Sequence, residues 1–247
     1  GSEMCIRDRG PSKEQGMKTI GLIGGMSWES TAIYYQLLNR LAREQLGGLH
    51  SAKLVMWSFD FAEIEAHQAQ GNWAEATAMM IDAARAVEQA GAECLVICTN
   101  TMHKMAPEII AAVGIPLIHI ADATAAAIKR QPVVRPLLLA TRYTMEQDFY
   151  KGRLAAHHDL KVAVPDDEGR TLVHDVIYEE LCQGIILPQS KQRLLDVVTQ
   201  TREHDDVDAV IFGCTEVGLL VSGEDFDIPV FATTSLHAQA ALDYALS

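Results

Sequence analysis

Positive charge is what this sequence has least of. Its 20 Lys and Arg stand against 33 Asp and Glu, for a net charge of −13. Nucleic acid needs clustered basic residues, so no nucleic-acid partner is expected. The same field does not steer anionic ligands, so an acidic substrate would need donors placed locally. Apolar runs long enough to span a bilayer are missing, as is a signal-peptide pattern. The expectation is a cytoplasmic protein without a membrane partner. The five cysteines, Cys5, Cys94, Cys98, Cys182 and Cys214, are odd in number and scattered. That fits reduced thiols better than a disulfide framework. None has zinc-ligand spacing, and no metal is expected. The glycine turn after the first apolar run lacks the full G-x-G-x-x-G spacing, which leaves a dinucleotide reading weak.

What is present is an ordinary globular composition, 49% hydrophobic and 21% charged over 247 residues, enough for one large domain or two modest ones. Residues 1–16 read as a tag-like or disordered tail and are set apart from the fold. From Met17 onward, short apolar runs alternate with longer segments of helical pattern. Lys18–Ile23 predicts a strand, followed by Gly24-Gly25 and a helix capped by Ser27 or Ser30 and closed by Gly47-Gly48. Strands are also predicted at Lys53–Phe59, Cys94–Cys98, Leu117–Ile120, Leu137–Ala140, Leu160–Val164, Ala209–Gly213 and Phe226–Phe231, with helices between them. Thr101 is expected to cap one of these helices, and Thr233-Thr234-Ser235 the last. This alternation predicts an α/β fold with parallel sheets. Pro132–Pro136 punctuates the chain, after which the pattern restarts.

Two strand ends carry the reactive residues. Leu95-Val96-Ile97-Cys98 runs into Thr99-Asn100-Thr101-Met102-His103, and Val210-Ile211-Phe212-Gly213 runs into Cys214-Thr215-Glu216. Gly24 lies 75 residues before Thr99, and Ala140 lies 74 before Cys214. That spacing suggests two similar halves facing each other across a cleft, where strand ends place ligands.

Several motifs in order resemble the cofactor-independent aspartate/glutamate racemase superfamily. They are Gly24-Gly25-Met26-Ser27-Trp28-Glu29-Ser30-Thr31, Ser58-Phe59-Asp60-Phe61, Thr99-Asn100-Thr101-Met102-His103, Thr141-Arg142-Tyr143-Thr144-Met145 and Gly213-Cys214-Thr215-Glu216. The chain looks most like the branch of amino-acid racemases with broad or Asp/Glu specificity. The resemblance implies two pseudo-symmetric α/β domains, each a mostly parallel sheet flanked by helices, with the active site in the cleft between them. It implies that the C-terminal helix packs back on the first domain. The expected division is 17–118 plus 225–247 against 119–224. A small amino-acid substrate, no pyridoxal phosphate or other cofactor, and a homodimer are implied as well.

Racemisation needs acid/base groups on both faces of a planar carbanion-like intermediate. Cys214 supplies a thiol for one face. The family's second cysteine, by resemblance, precedes the Asn-Thr pair; here Thr99 stands in that place. Cys98, one residue earlier in a strand, is expected to point into the packing. Three readings follow: Thr99 relays a proton through water or a neighbour such as His103; the enzyme is efficient from one enantiomer only; or Cys214 acts alone in other chemistry. Candidate substrate contacts are Met26, Gln68, Asn100, Thr101, Thr215 and Glu216, with the α-carboxylate on Asn100, Thr101 and Thr215. Asp60, His103, Arg142 and His174 are candidates for supporting positions. Arg142 is the one cationic group the pattern puts near an acidic side chain. Cys94 and Cys182 read as core residues. The alternatives are a single-cysteine decarboxylase or isomerase of a small dicarboxylate, and an amino-acid-binding protein that has lost catalysis.

Overall fold

The structure, a computed structural model, describes residues 16–247. Apart from Gly16, the tail assigned to residues 1–16, Cys5 included, lies outside the described residues. In the first half the elements are β1 (Ile20–Gly24), α1 (Trp28–Leu46), β2 (Leu54–Ser58), α2 (Phe61–Ala69), α3 (Trp73–Gln89), β3 (Cys94–Ile97) and α4 (Ala106–Ala112). Then come α5 (Ile120–Ile128), β4 (Pro136–Leu139), α6 (Arg142–Glu146), α7 (Asp148–His158), α8 (Asp167–Asp175) and α9 (Pro188–His204). The chain ends with β5 (Ala209–Phe212), α10 (Val217–Leu220), β6 (Val230–Ala232) and α11 (Thr233–Leu246).

The strands form two parallel sheets, ordered β2-β1-β3 and β4-β5-β6. Single parallel bridges extend each one, Leu95 with Leu117 beyond β3 and Leu137 with Ala163 beside β4. With the bridges counted, both halves have one order: the second extended segment, then the first, the third and the fourth. The repeat inferred from spacing is thus a repeat of topology, with β1 matching β4 and β3 matching β5. In such an order the chain leaves the first strand in opposite directions, and the crevice opens at the carboxyl ends of the first and third strands. Those ends are Gly24-Gly25-Met26 with Thr99-Asn100, and Ala140-Thr141 with Gly213-Cys214.

The four inner strands β1, β3, β4 and β5 are buried along their whole length, as expected of parallel strands covered on both faces. Two glycines at their exits are required by space. Gly25 has φ +83°, and a Cβ there would meet the Phe59 carbonyl oxygen at 2.3 Å. At Gly213 a Cβ would fall 2.6 Å from Leu138 Cδ1 and 2.9 Å from Ala140 Cβ. Each keeps two strand exits close enough to share one crevice.

Five expectations need correction. Leu117–Ile120 and Leu160–Val164 do not form strands; each contributes one bridge at a sheet margin. The strand within 225–247 belongs to the second sheet, because Val230, Phe231 and Ala232 pair with Val210, Ile211 and Phe212. Only the helix after it returns to the first half. There Ala238, Ala241, Leu242 and Ala245 of α11 enter a core with Ile20, Leu22, Tyr34, Leu38, Val96 and Cys98. Thr101 caps nothing: the chain enters a 3-10 turn, Thr101–Met105, before α4. Nor does a threonine side chain cap α11.

Candidate active site

One cavity between the halves collects most of the expected residues. Met26, Gln68, Thr99, Asn100 and Thr101 line it from the first half, and Cys214, Thr215 and Glu216 from the second. The cavity holds about 30 Å³. That is room for about two waters, less than an amino acid fills.

Cys214 follows β5 after Gly213, and its thiol donates to Glu216 Oε2 at 2.8 Å. Burial pushes this thiol well up from its ordinary range, and the adjacent Glu216 carboxylate pushes further in the same direction. Glu216 is itself buried. Its Oε1 accepts from Ser27 Oγ at 2.7 Å and from Ser30 Oγ at 2.6 Å, both across the cleft at the start of α1. Ser27 is the N-cap of that 19-residue helix, so the carboxylate sits at the positive end of its dipole. A carboxylate of the second half is thus solvated by the first, and the thiol proton points at it.

Thr99 follows β3 in the corresponding place and is partly buried. Its carbonyl accepts from His103 Nδ1 at 2.8 Å, and His103 Nε2 accepts from the Ile120 N–H at 3.3 Å. Both imidazole nitrogens are therefore committed to backbone, and burial among His119 and His237 holds the ring neutral. This corrects the relay reading for His103, which fixes the loop that carries Thr99 and has no nitrogen left to take its hydroxyl proton. Cys98 is buried in the α1–α11 core, away from the cavity, and burial pushes its thiol up.

Asn100 is held by a directional chain. Thr233 Oγ1 donates its one proton to the Phe212 carbonyl at 2.8 Å, so it can only accept from Asn100 Nδ2 at 3.0 Å. This leaves Asn100 Oδ1 buried with no partner among the described residues. Thr101 Oγ1 lies 3.0 Å from Thr141 Oγ1 and 3.3 Å from Thr144 Oγ1, which joins the halves through hydroxyls. Thr215 Oγ1 pairs with Thr234 Oγ1 at 2.6 Å.

The supporting candidates fall outside the cavity. Asp60 is exposed and caps α2, accepting from the Ala62 N–H at 3.1 Å. Arg142 turns its guanidinium to Thr171 Oγ1 at 3.1 Å. His174 accepts from the Arg142 N–H and packs on Tyr178 with ring centroids 4.7 Å apart, one layer behind the cavity wall. Burial lowers its basicity.

Residues that the sequence reading did not assign to the site also line it: Ser30, Phe61, Thr141, Ile177, Tyr178 and Cys182. Tyr178 lies in a π-helical turn, Val176–Glu180, that interrupts the helix after α8. Its hydroxyl donates to Gln68 Oε1 at 3.4 Å, across the cleft. Such wide turns re-aim side chains and recur at functional sites. Cys182 packs against the core of the second half, as expected, and also lines the cavity.

These features define a two-lobed α/β protein whose cleft sets a thiol–carboxylate pair against an alcohol. The chain belongs to the Asp/Glu/hydantoin racemase family, whose sequence profile matches residues 23–241. Two solved structures are similar over nearly the whole chain. An Asp/Glu racemase candidate from Yersinia pestis shares 53% identity, covering 94% of this chain and 100% of that one, with a TM-score of 0.87. An aspartate racemase homologue from Pyrococcus horikoshii OT3 shares 33%, with coverage of 94% and 100% and a TM-score of 0.81. The aspartate racemase of Picrophilus torridus, at 21% identity and a TM-score of 0.72 over 92% and 94% of the two chains, shares the fold.

Proposed function

We propose that this protein racemises an amino acid without pyridoxal phosphate, by removing the Cα proton on one face and returning one on the other. The observation that carries the reading is the Cys214 thiol, 2.8 Å from a buried carboxylate and sharing one cavity with Thr99 from the opposite half. A thiol whose proton passes to Glu216 becomes the thiolate that takes the Cα proton. The electron pair left on Cα delocalises into the substrate carboxylate, and a proton delivered from the Thr99 hydroxyl inverts the centre; Glu216 then releases its proton to water and Thr99 regains one from water, which restores the starting state. In the reverse direction the Cys214 S–H delivers its proton to Cα. Family membership and whole-chain similarity to the two structures above support this assignment.

The substrate's two polar ends have different partners in this proposal. Asn100 Oδ1 lacks a donor and suits the ammonium. The side-chain donors of Thr101 and Thr215 are shared with neighbouring threonines. The α-carboxylate therefore falls to the backbone N–H groups at the exits of β3 and β5, which also stabilise the charge that develops there. An alcohol is a far weaker acid than a thiol, so the Thr99 face is the slow one and turnover is faster from one enantiomer.

The test is Cα–H exchange and loss of optical purity in D₂O, followed separately from each enantiomer of a panel of amino acids. Both are expected with the wild type and neither with Cys214→Ala. No exchange from any amino acid at high enzyme concentration would overturn the racemase reading, and full activity in Cys214→Ala would overturn the role of Cys214.

A further inference from the structure

A second cavity shares no lining residue with the cleft and holds about 480 Å³, the size of a small-molecule site. Its walls come from both halves. Lys104 and Ile110 enter from the 3-10 turn before α4 and from α4 itself, and Phe149 and Arg153 from α7. The lining carries two charged side chains, Lys104 and Arg153, and no Asp or Glu. In a chain of net charge −13 that is a local reversal of sign. Both cations keep donors in hand. Asp122, outside the lining, accepts from Arg153 Nε and Nη2 at 2.8 and 2.7 Å, which leaves Nη1 without a partner among the described residues. Lys104 Nζ lies 4.2 Å from the centroid of the Trp73 ring and donates to Gln147, one use of its three protons.

His119, the residue before α5, lines the same cavity and is only 5% exposed. Its Nδ1 accepts from the Ala121 N–H at 3.2 Å, so the neutral ring carries its proton on Nε2. Burial lowers its pKa to about 3, and the ring stays neutral at physiological pH. The Nε2–H has no acceptor among the described residues. A nearly buried donor left unpaired is costly, and here it stands in a wall whose charges are both positive. We propose that this cavity binds a small organic anion, a carboxylate or phosphate head on an apolar body. The head accepts from His119, Arg153 and Lys104, and the body lies against Ile110 and Phe149. This site is separate from the cleft, and the inference does not depend on the racemase reading. His103 also lines the cavity while its Nδ1 donates to the Thr99 carbonyl at 2.8 Å, so an occupant ties the two halves together beside the Thr99 loop.

Calorimetric titration of the full chain at neutral pH tests this, with phenyl phosphate and phenylacetate as probes and benzyl alcohol as the uncharged control. At least one of the two anions should saturate a single site, and benzyl alcohol should not over the same range. Ile110 is 48% exposed, so Ile110→Glu sets a carboxylate at the rim without disturbing the core. Lys104→Gln removes a cation from the wall. Each variant should bind the anion at least about tenfold more weakly, with circular dichroism and urea unfolding showing that the fold is kept. No saturable binding of either anion at about 10 mM overturns the proposal, as does equal binding of benzyl alcohol. Unchanged affinity in either folded variant overturns it too, because the anion then sits elsewhere, the cleft included.

Discussion

Replacing Glu216 by Gln keeps the volume of the side chain and removes its charge. The amide oxygen can still accept from Ser27 and Ser30, now at 2.7 and 2.6 Å from the carboxylate. The amide nitrogen then faces Cys214, where it can only donate, so the thiol loses the acceptor it has at 2.8 Å. Two properties should move in opposite directions. Glu216 holds the thiol up both by its charge and by its hydrogen bond, and both contributions vanish while burial remains. The thiol's titration should therefore move down, and alkylation by iodoacetamide at neutral pH should quicken. Turnover should fall, because the proton that must leave sulfur has lost its receiver. Removing one positioned proton acceptor costs about 10²–10⁴ in kcat, or about 3–5 kcal/mol of barrier. Steady-state racemisation and timed alkylation on the same preparation read the two effects, and urea unfolding controls for the fold. A kcat unchanged or raised in Glu216→Gln would refute the reasoning. Loss of both properties together with stability would mean that Glu216 only ties the halves.

Thr99→Cys puts a second thiol on the slow face. Exchange from the enantiomer handled poorly should rise toward that of the favoured one, and no change would show that the second proton travels by another group. Stability should fall as pH drops below neutrality. Burial lowers His119 to about 3 and His237 to about 4, and holds His103 well below its ordinary value. Each of these rings is charged first in the unfolded chain, at about pH 6.5, so the unfolded state binds more protons as pH falls. The loss starts near pH 6.5 and runs down to the folded values, at about 1.4 kcal/mol per pH unit for each histidine. The paired Asp122, lowered to about 2, gives no offset in that window. A urea midpoint flat between pH 7 and 5 would contradict the neutral assignment of these rings.

The frame of this protein was legible because four of its strands leave no choice. Parallel strands buried on both faces must be continuous apolar runs, and each here ends in small or polar residues that a crevice can use. Leu95–Ile97 and Val210–Phe212 state that pattern openly, and so Thr99 and Cys214 could be placed from sequence. The sheet margins could not. Leu117 and Ala163 each make a single bridge, and whether an apolar segment at an edge extends its pairing depends on neighbours that no local pattern encodes. Threonine misled for a related reason. Its hydroxyl suits a helix cap, but at Thr101 and Thr233 the helix start lies against another strand exit, and the partners are Thr141, Thr144 and the Phe212 carbonyl.

The residues missed altogether are those whose role exists only after the halves meet. Tyr178 and Cys182 sit in a stretch patterned like an ordinary amphipathic helix, but there the chain makes a π turn, Val176–Glu180, and then a 3-10 turn, Leu181–Gln183, and both residues line the cavity. Ser27 and Ser30 read as a helix start, which they are. The same two hydroxyls also reach Glu216 from 189 and 186 residues away. Arg142 shows the converse. Its position at the exit of β4 was right, but its guanidinium turns to Thr171, and position along a strand does not fix where a long side chain ends.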